Sequence, residues 1–134
     1  MRRRVANRGR YAETGGEVRM IAAFLSVALG GFLGGIARWA LSRSPGGTAG
    51  TWAANAVGSA VLGFTVGMPG IWPLLLGTGF AGALSTWSTL SRELGLMIKQ
   101  RRWREVARYA LATVVAGLIG ALFGLRYAAR AFGS

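Results

Sequence analysis

Gly79-Phe80-Ala81-Gly82-Ala83-Leu84-Ser85-Thr86-Trp87-Ser88-Thr89-Leu90-Ser91-Arg92-Glu93 is the stretch whose reading decides the fold. It lies within an apolar segment, residues 71–98, that is long enough to cross a bilayer, for which about 20 residues suffice. Yet it is crowded with glycines and hydroxyls. Hydrocarbon offers backbone groups no partners, so such a sequence is tolerated at that depth only where protein or a watery path surrounds it. Serine and threonine can bond back to the preceding turn and bend a helix. The density of Thr78, Ser85, Thr86, Ser88, Thr89 and Ser91 beside Gly77, Gly79 and Gly82 exceeds what bending requires. The pattern predicts a helix broken near Gly82 to Thr86. A broken helix offers free carbonyls to a cation and free N–H groups to an anion.

The rest of the chain reads as a membrane protein. Of 134 residues, 52% are hydrophobic, mean hydropathy is +0.41, and 22 are glycine. That length suits a single domain. Apolar runs at 21–41, 50–68, 71–98 and 107–127 predict an all-α integral membrane protein with four transmembrane helices, the third broken mid-membrane. It would be a multi-pass protein of the cell membrane. Residues 1–19 read as a basic disordered tail and 20–134 as the transmembrane domain; Met20 offers an alternative start.

Charge is segregated. The four glutamates, Glu13, Glu17, Glu93 and Glu105, and all Lys and Arg fall in the tail or near the ends of apolar blocks. The net charge of +12 suggests nucleic acid at first sight. Flanking basic residues that meet anionic headgroups explain it better, since half the chain sits in lipid. With four spans, Arg2, Arg3, Arg4, Arg8, Arg10, Arg19, Arg126 and Arg130 share one side. Arg38, Arg43, Arg92, Lys99, Arg101, Arg102, Arg104 and Arg108 share the other. Eight face eight, so the positive-inside bias vanishes; counted from Met20 it becomes two against eight. A chain without bias can insert both ways and pair antiparallel with itself, whereas a biased chain needs an oppositely oriented partner.

Gly30, Gly31, Gly34 and Gly35 form two interleaved GxxxG patterns, and Gly117, Gly120 and Gly124 recur at helical spacing. Small residues at this spacing let helices approach closely in lipid. Among intramembrane polar groups Asn55 is the clearest: it either bonds across helices or offers N–H donors to something passing through. Tyr109 and Thr113 place hydroxyls on one helical face. Arg38, near a span's end, can snorkel or form an anion-attracting vestibule.

With neither His, Cys nor Asp in the chain, thiolate and imidazole metal sites are excluded. The serines have no base to activate them, which argues against an enzyme. A proton-driven small multidrug-type exporter would need a titrating group in a span. Neutral donors, hydroxyls and aromatic edges favour a pore for a small anion that needs replacements for its hydration.

Three motifs, in order and correctly spaced, resemble the Fluc/CrcB fluoride channel family. Gly34-Gly35-Ile36-Ala37-Arg38 is similar to its first-helix GxxxR, Gly50-Thr51 through Asn55 and Gly58 to its GTxxxNxxG, and Gly79 through Glu93 to its GFxGGxTTFSTFSxE. The resemblance implies passive export of fluoride through an antiparallel dual-topology dimer with two pores. It implies a structural sodium ion (Na+) held at the dimer centre by backbone carbonyls, here those of Gly82 and Ser85. It makes Asn55 the pore amide, sets Ser88 and Thr89 beside the ion path, and continues that path through Tyr109 and Thr113.

The chain departs from the pattern where the family has two pore phenylalanines, whose electropositive ring edges face fluoride. Trp87 and Leu90 stand there. Trp87 keeps an aromatic edge and adds a donor; Leu90 has no quadrupole. Ala83 and Ser85 replace a glycine and a threonine. Three readings follow: a homodimeric channel, one half of a heterodimer whose paralogous partner supplies the phenylalanine pair, or a non-conducting assembly subunit.

Overall fold

A computed structural model describes residues 2–133 of the chain, with side chains from residue 13 onward. Helix α1 spans Arg2–Leu41 and α2 spans Gly47–Thr65. Helix α3 is wound as a π-helix over Pro73–Ala81 and finishes with an α-helical turn at Gly82–Leu84. Helix α4 follows at Trp87–Lys99 and α5 at Trp103–Phe132. No strand occurs among the described residues. The chain is all-α, as its apolar runs predict.

Positions 13–19, assigned by composition to a disordered tail, are helical and exposed. The reason lies in helix cooperativity: once the apolar part of α1 has nucleated a helix, each added residue gains a hydrogen bond without a new nucleus. Among the described residues, two helical runs are long and apolar enough to cross a membrane, Glu13–Thr65 taken across its kink at Ser42–Gly46, and Trp103–Phe132.

Packing pairs α2 with α5 and α1 with α3 most extensively. Glycine permits both approaches. A Cβ at Gly34 would run into the Phe80 backbone, and one at Gly124 into the Ala60 carbonyl. The interleaved α1 motif therefore divides by face. Gly30 and Gly34 seat α3, whereas Gly31 and Gly35 have open space.

The buried apolar core is small: Ala54, Ala81, Leu84, Leu90 and Ala128. Large side chains point outward instead, with Phe24 73% and Trp87 80% exposed. Water would penalise so much exposed apolar area. Lipid does not, and in lipid small interfacial residues hold helices together by close contact.

Candidate functional site

The predicted break falls at Ser85 and Thr86. Ser85 (φ −70°, ψ 150°) and Thr86 (φ −146°, ψ 117°) are extended between the last turn of α3 and the start of α4. An interrupted helix leaves backbone groups that must find partners. Asn55 of α2 supplies them. The Thr86 N–H donates to Asn55 Oδ1 at 2.7 Å, and Asn55 Nδ2 donates to the Thr86 carbonyl at 3.3 Å. A side-chain amide thus pairs with an extended residue much as a neighbouring strand would. In an unbroken helix that N–H would donate to the Gly82 carbonyl four residues back; the clamp releases that carbonyl. Gly58, one turn beyond Asn55, brings α2 close enough to do this: a Cβ there would lie 3.1 Å from Ser85 Cβ.

Thr86 then starts α4. Its hydroxyl accepts from the Thr89 N–H at 3.3 Å, the usual N-cap bond. It also donates to Thr89 Oγ1 at 3.1 Å and lies 3.3 Å from Ser88 Oγ. Ser85 bonds back along α3, its hydroxyl donating to the Ala81 carbonyl at 2.9 Å.

A cavity of 320 Å³ opens beside this cluster, bordered by Arg38, Thr51, Ala54, Thr86, Thr89 and Glu93 among others. Glu93 ties three helices together. The Thr51 hydroxyl of α2 donates to Oε1 at 3.0 Å, and the Tyr109 hydroxyl of α5 donates to Oε2 at 2.6 Å. Each carboxylate oxygen thus holds a charge-assisted bond, the stronger kind. The Trp52 indole N–H adds a further tie, donating to the Ala112 carbonyl of α5 at 3.1 Å.

The cavity gathers some of the sequence-predicted residues and leaves others out. Arg38, which is exposed, and Thr89 border it. Asn55 stands behind it through Thr86, and Tyr109 through Glu93. Ser88 is exposed beside Thr86. Thr113 is buried, its hydroxyl donating to the Tyr109 carbonyl at 2.8 Å, and does not border the cavity. Trp87 points away from the subunit, while Leu90 is buried with 7% exposure.

Glu93 requires a correction. It reads in the sequence as a charge near the end of an apolar block, but it lies midway along α4, partly buried and facing the cavity. Its four-residue distance from Thr89, one helical turn, was the available signal. Thr51 is the other site residue that only the packing reveals; Thr86 was expected at the break, but not as the residue Asn55 holds.

Residues 25–125 match the CrcB-like protein, Camphor Resistance (CrcB) family, which takes in the break, the Asn55 clamp and the cavity. The chain belongs to this family. It is 44% identical over 105 residues to the fluoride-specific ion channel FluC 2 of Corynebacterium diphtheriae, covering 78% of this chain and 96% of that one. It is also 44% identical over 101 residues to FluC 1 of Geobacillus kaustophilus, covering 70% and 87%. The archaeal FluC of Methanocaldococcus jannaschii is 36% identical over 115 residues, covering 78% and 93%. CrcB membership sets aside the multidrug-type exporter and any enzyme: these relatives are ion channels by name.

Proposed function

We propose that this CrcB chain builds a passive, fluoride-specific pore that releases cytoplasmic fluoride across the cell membrane. Its four membrane crossings would be α1, α2, the broken α3–α4 pair and α5. One observation carries the reading: Asn55 holds the helix open at Thr86, which sets Thr86 and Thr89, with Ser88 next to them, at a cavity that Arg38 also lines. Fluoride is small and strongly hydrated, so a path must replace its water with close donors. Ser88 and Thr89 supply neutral ones, Thr86 donates its own proton to Thr89 Oγ1 and so orients it, and Arg38 supplies positive potential from the cavity wall. Glu93 would repel an anion, but its two oxygens are turned to Thr51 and Tyr109.

The balanced flanking charge supports assembly of two oppositely oriented subunits. A structural sodium ion between them fits the donor chemistry at the break. The Gly82 carbonyl is released by the clamp, Gly82 is exposed, and neutral oxygens suit a hard cation. The carbonyls of Gly82 and Ser85 would hold it and so fix the two breaks against each other.

A heterodimer has its own supporting observation. Trp87, 80% exposed, is open to a partner or to lipid, whereas Leu90 is buried and without a ring. A paralogous subunit with the phenylalanine pair would complete one pore.

Fluoride-electrode recording of efflux from loaded liposomes tests the reading. Fluoride release without chloride release is expected, either from this chain alone or only with a paralogous partner. Rapid efflux from this chain alone would sink the heterodimer. Absence of flux in every pairing would leave it a non-conducting assembly subunit and overturn the channel.

A further inference from the structure

The far end of α5 carries a second site that the fluoride path does not use. A groove of 270 Å³ is formed there by Leu122, Phe123, Arg126, Tyr127 and Arg130. Three of these residues lie beyond position 125, where the family match ends.

The groove is two-natured. Leu122 and Phe123 are 64% and 58% exposed at the apolar end. Phe123 stacks on Tyr127, ring centroids 6.3 Å apart and planes 28° apart. Arg130 lies over the Tyr127 ring at 5.9 Å, a cation–π contact that steadies its guanidinium. Arg126 and Arg130 are four residues apart and share a face. Among the described residues neither has a carboxylate partner; the ion pair found there joins Arg102 to Glu105. From Leu122 to Arg130 the helix rises about 12 Å, at 1.5 Å per residue. That length suits a headgroup and the upper part of an acyl chain.

We infer that this groove binds an anionic phospholipid, its phosphate between Arg126 and Arg130 and its acyl chain along Phe123 and Leu122. A free anion would use the arginines and leave the apolar half idle, and a neutral lipid would do the reverse. Arginine suits the headgroup because its planar fork can donate two bonds to one phosphate. The inference depends on the chain lying in a membrane and is independent of fluoride conduction.

Native mass spectrometry of the full-length protein with added phosphatidylglycerol or phosphatidylcholine tests it. Phosphatidylglycerol should bind in preference, and inorganic phosphate should not displace it. Changing Arg126 and Arg130 together to Gln should weaken phosphatidylglycerol about 30-fold, equivalent to roughly 2 kcal/mol at about 1 kcal/mol per basic residue. Arg101→Gln with Arg104→Gln, in the basic α4–α5 loop and the first turn of α5, should leave the binding intact. A Tm rise with phosphatidylglycerol in wild type, absent in a folded R126Q/R130Q protein, would agree. Equal binding of the two lipids, displacement by phosphate, or an equal loss in the loop variant would each overturn the assignment.

Discussion

Asn55→Leu is the sharpest test of how the site works, because leucine matches the amide's shape while removing both polar atoms. Wild-type Asn55 makes two bonds to Thr86, at 2.7 Å and 3.3 Å. Leaving a buried N–H without a partner costs about 1–3 kcal/mol. The Thr86 carbonyl adds little, since as an N-cap residue it can also accept the first bond of α4. The N–H has an escape as well. The Gly82 carbonyl is four residues back, and if Ser85 and Thr86 return to helical angles the bond re-forms and the break heals. The membrane-embedded reference state offers similar alternatives, and interhelical polar bonds there average only about 0.6 kcal/mol. The stability loss should therefore be modest, about 1–2 kcal/mol, whereas the break and its hydroxyl cluster should be lost altogether.

Two measurements separate these effects. Thermal unfolding in detergent, followed by tryptophan fluorescence, should show a Tm lowered by several degrees with the protein still folded. Liposome efflux under the conditions that give wild-type flux should fall to background. Wild-type flux in a folded Asn55→Leu protein would refute the claim that the clamp sets the path.

Further outcomes are expected. Tyr109→Phe should cost about 1.5–3 kcal/mol, the range for a hydrogen bond to a charged group, and a denaturation midpoint equal to wild type would show that the tie to Glu93 carries no weight. Gly124→Ala, which drives a Cβ into the Ala60 carbonyl, should cost about 1–3 kcal/mol by overpacking. Gly95→Ala, with open space around it, should be neutral or stabilising by up to about 1 kcal/mol; equal Tm values for the two would contradict the packing. Leu90→Phe should raise fluoride efflux of this chain alone while lowering stability, because the larger ring enters a buried site; unchanged efflux would remove the missing ring as the limiting feature. Replacing sodium by N-methylglucamine throughout purification should lower Tm if the carbonyls of Gly82 and Ser85 hold a sodium ion, and an unchanged Tm would count against that site.

The break was legible because its cause is local. Glycines and hydroxyls that weaken a helix sit next to one another in the chain, so their composition alone located it to within a few residues. Asn55 was legible as a costly polar group, but its partner was not. Which backbone atom an amide satisfies depends on how α2 lies against the α3–α4 junction, and that is fixed by Gly58 some thirty positions away from Thr86. Glu93 failed for a related reason. A linear reading places a charge by its distance from the end of an apolar run, whereas its depth is set by the two hydroxyls that reach it from other helices.

The two ties complement each other. Asn55 joins α2 to the start of α4, and Glu93 joins α2 and α5 to its middle. Thr86 and Glu93 are seven residues apart, two turns of helix, so both ties meet α4 on the cavity side. A helix held at two points on one face cannot easily roll. The hydroxyl of Thr89, between those points, is therefore kept turned to the cavity without a direct tie of its own to another helix. Rigidity matters for selecting a small anion: donors that could follow a larger ion outward would lose the distinction, and donors fixed in place retain it. In this arrangement the break supplies the donors, and the two ties keep them where they are.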